Sequence, residues 1–192
     1  MEAGLNSTFN EQQLSRTVEL ALDEAKKQGA DQAEAAVSGS DGVSVSVRLG
    51  EVETLEKDRS QSMGITVYKN GAKGTATTTD LSDAAVCSAV ASACSIAGFT
   101  QSDDCAGLAD AELMATDYPH LDLHHPWDIE TPDAIELAQR CEAAARDYDP
   151  RITNSEGASL SSHEGVSVYG NSHGFLGNYA GTRHSLSCSV IA

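Results

Sequence analysis

The chain has 192 residues, 40% of them hydrophobic but only 5% aromatic, so a core is within reach and is to be built from Val, Ala, Leu and Ile. Twenty-nine acidic residues against 12 basic ones give a formal net charge of −17; with no basic stripe in the sequence, direct binding to nucleic-acid phosphates is not expected. Five cysteines, widely spaced and without a CxxC, point to a reducing compartment, and no run approaches the roughly 18 apolar residues of a membrane span.

The opening MEAGLNSTFNEQQ has neither a charged n-region nor an apolar h-region, so it does not read as a secretory signal and a cytoplasmic protein is expected. Residues 1–9 read as a flexible tail. From Asn10 to about Gln28 an amphipathic helix is predicted, with Leu14, Val18, Ala21, Leu22 and Ala25 on its apolar face and Gly29 ending it. The period then changes to two. Residues 33–38 form a predicted strand. Val43, Val45, Val47 and Leu49 alternate with Ser44, Ser46 and Arg48 in a second, and Gly50-Glu51 turns the chain into a third over 52–57. Residues 63–69 alternate again and meet Asn70-Gly71, the dipeptide of a type I′ hairpin turn, with 72–79 as the return strand. An antiparallel meander of about four or five strands follows from these runs.

Asp80 is the expected cap of a helix over 81–98, apolar on most sides except for a strip of Ser88, Ser92 and Ser95, and therefore expected to lie on the sheet. Cys87 and Cys94 share that helix as small hydrophobes. Residues 100–125 are irregular and acidic, with Trp127 the expected anchor of the segment. Thr131-Pro132 signals the next helix, Thr as N-cap and Pro at the first helical position, with Leu137, Ala138, Cys141, Ala144 and Ala145 buried and Asp149-Pro150 closing it. Beyond it only strand-like runs remain. The predicted organisation is α+β: a tail over 1–9, an α+β domain over 10–150 with helices packed on an antiparallel sheet, and over 151–192 the opening strands of a second, mainly β domain. Leu186, Cys188 and Val190 still alternate with serines near Ala192, an expectation of an unfinished domain. Its edge, residues 186–191, is an expected site of self-association.

The ordered set Asn154-Ser155-Glu156-Gly157, Ser162-His163, Gly165-Val166, Gly170-Asn171-Ser172-His173-Gly174 and Thr182-Arg183-His184-Ser185 resembles the TldD/PmbA family, on its PmbA (TldE) branch. Upstream, ALDEAKKQGADQAEAAVS and GITVYKNGAKGTATTTDLS resemble that family's N-terminal domain, so most of the chain is covered. The resemblance implies a cytoplasmic heterodimer of TldD-like and PmbA-like subunits that degrades or trims small unfolded peptides. It also implies that zinc is carried by the TldD-like partner on a His-Glu-x-x-x-His helix, and that the PmbA-like subunit helps close the peptide channel. Family members are also described as modulators of DNA gyrase.

The sequence departs from the catalytic pattern, having neither His-Glu-x-x-x-His nor His-Glu-x-x-His. Its one His-Glu step, His163-Glu164, runs into Gly165-Val166-Ser167-Val168, which is strand spacing, whereas a metal helix places two histidines a turn apart on one face. No catalytic residue, and no metal or cofactor in this chain, is therefore expected. Convergence of Glu156, His163, His173 and His184 on a metal lacks close spacing. Neighbouring His124 and His125, with His120 before them, point opposite ways on extended chain. Serines near His163 lack a Gly-x-Ser-x-Gly elbow, and the Gly170–Gly174 turn reads as turn geometry. Asn154, Glu156, His163, Asn171, His173, Arg183 and His184 are instead the candidates for lining a peptide channel or subunit interface. The alternative role is an acidic adaptor that binds gyrase or a toxin–antitoxin component without proteolysis.

Overall fold

A computed structural model describes residues 9–192. All but the last residue of the tail expected over 1–9 lies outside the described residues. In chain order the elements are α1 (Glu11–Lys27), β1 (Gln32–Arg48), β2 (Glu51–Lys69), β3 (Ala72–Thr78), α2 (Asp83–Phe99), α3 (Thr131–Arg146), β4 (Asn154–Asn171) and β5 (Leu176–Ile191), with a single 3₁₀ turn at Ala111–Leu113. The strands form one antiparallel five-stranded sheet in the order β3-β2-β1-β4-β5, the α+β class that the alternating and helical periods predict.

Two pairs of predicted strands are each one strand. The runs 33–38 and 43–49 are joined in β1, and 52–57 and 63–69 in β2. Gly39 and Gly42 lie between the first two predicted runs: the Phe9 ring occupies the space of a Cβ at Gly39, and the His163 ring that at Gly42. A strand glycine with an aromatic ring laid over it keeps the pleat and fills the missing side chain's place.

The long strands contribute to two compact units, the first formed by the described part of 1–39 with Ser60–Leu121 and Gly165–Ala180, the second by Ser40–Arg59, Asp122–Glu164 and Gly181–Ala192. In the first, Leu14, Val18, Ala21 and Ala25 of α1 and Val86, Val90, Ala93 and Ala97 of α2 pack on Ala33, Ala35, Val37, Met63, Ile65, Val67, Val166 and Val168. Period-two burial in the strands and 3.6-period burial in α1 both point into this core. Asn70 and Gly71 both have positive φ, 52° and 71°, as a type I′ turn demands. The turn sets Lys69 opposite Ala72 and carries the ladder to Met63 opposite Thr78. Gly74 lets α2 lie directly on β3, because a Cβ there would run into the Ala93 and Ala97 backbone. α2 begins later than predicted: the Ser82 hydroxyl caps it by accepting the Ala85 N–H (3.4 Å), while Asp80 holds the preceding turn through the Ser82 N–H (2.9 Å).

In the second unit, α3 packs Ala134 and Ala138 against Val45, Val47, Ala158 and Leu160. Thr131 is its first helical residue, and the N-cap position belongs to Glu130, which makes no side-chain cap. The third fully buried residue of α3 is Glu142, and Ala144 is exposed, so the buried stripe follows 134, 138 and 142 and is turned from the predicted one. The helix ends at Arg146, and the Asp149 carboxylate then takes the Arg151 N–H and guanidinium, both at 2.9 Å.

Candidate functional site

Histidine chemistry in the second unit is built across β4, β5 and the segment 122–127. His184 Nε2 lies 3.0 Å from the His125 carbonyl. A carbonyl only accepts, so Nε2 carries the proton and Nδ1 accepts the Ser162 hydroxyl at 2.9 Å. The Trp127 ring meets His184 edge to face at 5.5 Å. Thr182 ties the same segment down, donating its N–H to the Leu123 carbonyl (2.9 Å) and its hydroxyl to that of His125 (3.1 Å). Trp127 thus does anchor its loop, against an imidazole.

His163 lies over Gly42 with Nε2 3.3 Å from Asp58 Oδ1. Its neighbour Glu164 is paired with His124 Nε2 at 3.4 Å. Successive residues of a strand face opposite ways, so His163 and Glu164 serve different partners. Zinc does not fit this step: the two side chains diverge, and each imidazole has a partner already. Among the described residues no three His, Cys, Asp or Glu side chains are grouped as metal ligands, and no helix is long and apolar enough to cross a membrane.

At the start of β4, Asn154 Oδ1 accepts the Ser155 N–H (2.8 Å), and Ser155, fully buried, accepts the Gly157 N–H on its hydroxyl (2.9 Å). Gly157 has φ 106°, and a Cβ there would press on the Val47 carbonyl. Glu156 and Arg183 are exposed. In the first unit, buried Asn171 closes the β4–β5 turn, its Oδ1 accepting the His173 N–H (3.0 Å), while the His173 side chain is exposed. Ser162 and His184 are therefore brought together. His163 has Asp58, Asn154 belongs to the Ser155 turn, and Asn171 and His173 form a separate turn in the first unit.

Two polar centres went unread in the sequence. Glu142 accepts the Leu49 and Gly50 N–H groups on its two oxygens, both at 2.8 Å. Burial pushes its carboxyl pKa up, but hydrogen bonds from Ser155, Gly50 and Leu49 and the charge of Arg146 outweigh this and hold it below the ordinary value. The signal available was an acidic residue in register with Ala134 and Ala138. In the first unit Glu34 receives the Tyr68 hydroxyl (3.1 Å) on one oxygen and the Tyr169 hydroxyl (2.9 Å) on the other. Both phenol pKa values are raised, chiefly by burial and further by the Glu34 carboxylate. The outward positions of three alternating strands supply this trio.

Residues 33–97 match the family model described as PmbA/TldA metallopeptidase domain 1, and 124–192 that family's central domain. The chain is 51% identical over 195 aligned positions to the metalloprotease PmbA homolog of Haemophilus influenzae, covering 100% of this chain and 43% of that protein. It is 52% identical over 179 positions to the metalloprotease PmbA of Escherichia coli O157:H7, covering 93% and 40%. A crystal structure from Bacteroides thetaiotaomicron, described as a modulator of DNA gyrase, has the same fold, with a TM-score of 0.82 at 21% identity over 91% of this chain and 40% of that one. The chain belongs to the PmbA/TldD family of metalloprotease-like proteins. It spans about two fifths of the length of the curated relatives it matches.

Proposed function

We propose that this chain is the assembly and channel-wall portion of a PmbA/TldE-like subunit, working in a cytoplasmic heterodimer that trims small unfolded peptides with zinc held by a TldD-like partner. The observation that carries this reading is the fate of the His-Glu step. On strand β4, His163 and Glu164 diverge to Asp58 and His124, so hydrolysis through metal-activated water is assigned to the partner subunit. The chain's own polar groups would contact backbone and side chains of peptide or partner. Asn154, Glu156, His163, Asn171, His173, Arg183 and His184 are proposed for that wall, of which Glu156, His173, Arg183 and His184 are exposed.

The test is capture of a TldD-like subunit on this chain, followed by peptide cleavage by that subunit with and without it. Cleavage that rises only in the presence of both supports the reading. Capture with equal cleavage in both arms makes the chain an adaptor, and no capture refutes the assembly role.

A further inference from the structure

In the second unit the inward face of β4 changes character along the strand. Ala158 and Leu160 are buried with Ala134 and Ala138 of α3, and the next position on that face, two residues further on, is Ser162. Its hydroxyl meets His184 Nδ1 on β5 at 2.9 Å. Ser161, its neighbour on the opposite face, meets the Ser185 hydroxyl instead, at 2.7 Å. A hydroxyl partner is too weak a base to take a serine proton near neutral pH, whereas a neutral imidazole can take it.

The imidazole is held in the form a base requires. The His125 carbonyl accepts from Nε2 at 3.0 Å, so in the neutral ring the Nδ1 lone pair faces the Ser162 hydroxyl. That carbonyl is fixed in turn by the Thr182 hydroxyl, which donates to it and accepts the His125 N–H, both at 3.1 Å. The Trp127 ring, edge to face with His184 at 5.5 Å, limits rotation of the imidazole. A nucleophile, a base within hydrogen-bond reach and a third group orienting the base are the parts of an activated serine. Ser162 is half-buried and His184 exposed, so the pair opens to solvent. The two residues lie 22 apart in sequence, and strand pairing supplies the arrangement without a nucleophile elbow.

We propose that Ser162 is a nucleophilic serine, with His184 as its general base, that takes the acyl group of activated carboxylic esters. As Ser162 Oγ forms a bond to the ester carbonyl carbon, its proton passes to His184 Nδ1, and the imidazolium keeps its Nε2–H on the His125 carbonyl. The Nδ1 proton then goes to the leaving oxygen as the C–O bond of the ester breaks, which frees the alcohol and leaves acyl-Ser162. Water attacking the acyl carbon by the same proton route releases the acid and restores the serine. General-base assistance of this kind contributes about 10²–10⁴-fold, so reaction at Ser162 stands well above that of an ordinary serine. This inference rests on the Ser162, His184 and His125 geometry, independently of the peptidase reading.

The intact chain at neutral pH is treated with a fluorophosphonate probe, which phosphonylates an activated serine with loss of fluoride, and the adduct is located by peptide mass mapping. Hydrolysis of p-nitrophenyl acetate is followed in parallel, and circular dichroism confirms that each variant is folded. A single adduct on Ser162 is expected, formed by the folded chain and not by the chain unfolded in urea. Ser162→Ala should remove it, His184→Gln should slow it about 100-fold or more, and Ser161→Ala should leave it unchanged; ester cleavage should fall with the same two variants. Labelling no faster in the folded chain than in the unfolded one, an adduct on a different residue, or labelling and cleavage that survive His184→Gln each overturn the proposal and leave the Ser162–His184 contact as a clasp between β4 and β5. Because no TldD-like subunit enters the assay, its outcome is separate from that of the peptidase reading.

Discussion

Replacing Glu142 by Gln tests whether one carboxylate sets the β1–β2 turn. Its side chain is 1% exposed, and its two oxygens each take a backbone N–H at 2.8 Å, from Leu49 and Gly50. Both of these residues have positive φ, 53° and 84°, a costly conformation for Leu49. Hydrogen bonds to a charged acceptor contribute roughly 1.5–3 kcal/mol each. Gln keeps the shape, retains one acceptor and turns an amide N–H₂ toward the other donor. The expected loss is about 2–4 kcal/mol, read as a lower urea midpoint at unchanged slope. The pH dependence supplies the sharper test. The folded-state pKa of Glu142 is depressed, so its stabilisation is fully present above the unfolded carboxyl pKa, about 4.3, and is lost as pH falls through the lower folded value. The stability gap between wild type and Glu142→Gln should be constant from neutral pH to about pH 5 and then close. A gap that persists below the carboxyl range, or a variant as stable as wild type at pH 7, refutes the reasoning.

Three further outcomes follow. Gly42→Val places a side chain where the His163 ring lies and should destabilise by about 1–3 kcal/mol in thermal melts, with His163→Ala recovering part of the loss; an unchanged melting temperature for Gly42→Val would place the ring elsewhere. Tyr169→Phe removes one of the two hydroxyls on Glu34 at a cost of about 1 kcal/mol. Because both phenol pKa values are raised, the stabilisation is complete below the ordinary tyrosine pKa and lost as pH rises through the folded one, so ultraviolet titration should show two tyrosines ionising late. The Cys188 thiol pKa is raised, chiefly by burial and further by neighbouring Cys141, and both cysteines pack on the same core. A small-molecule disulfide oxidant should join them with release of two equivalents of its reduced thiol, and peptide mapping that finds a different pair would show that the thiols do not meet.

The elements were legible where period and turn chemistry agree. Asn70-Gly71 fixed a hairpin because two adjacent positive-φ residues leave few alternatives, and the α1 stripe of Leu14, Val18, Ala21 and Ala25 is buried as its spacing predicts. What was not legible depends on contacts between residues far apart in sequence. The runs 33–38 and 43–49 are one strand, and nothing local reveals that Phe9 and His163 fill the places of side chains at Gly39 and Gly42 between them. Glu142 belonged by polarity to the wet face of α3, and only the distant turn at Leu49 and Gly50, whose two N–H groups it accepts, explains its burial. Glu34 reads as an ordinary outward strand position until Tyr68 and Tyr169 arrive from flanking strands.

The same distinction explains why histidine number says little about chemistry in this chain. A helix brings side chains four apart onto one face, so a His pair at that spacing makes a preformed ligand set. β4 sends His163 and Glu164 to opposite faces, and partners elsewhere in the chain then take each group: Asp58 of β2 for His163, His124 of the 122–127 segment for Glu164, while Ser162 meets His184. Each pairing satisfies a polar group that would otherwise be costly to leave half-buried, and each uses a nitrogen or carboxylate oxygen that a metal would need. Converting this surface to a metal site would take more than adding one ligand, since two existing pairs would first have to be broken. The polar groups of this portion therefore fasten strands, turns and the 122–127 segment to one another.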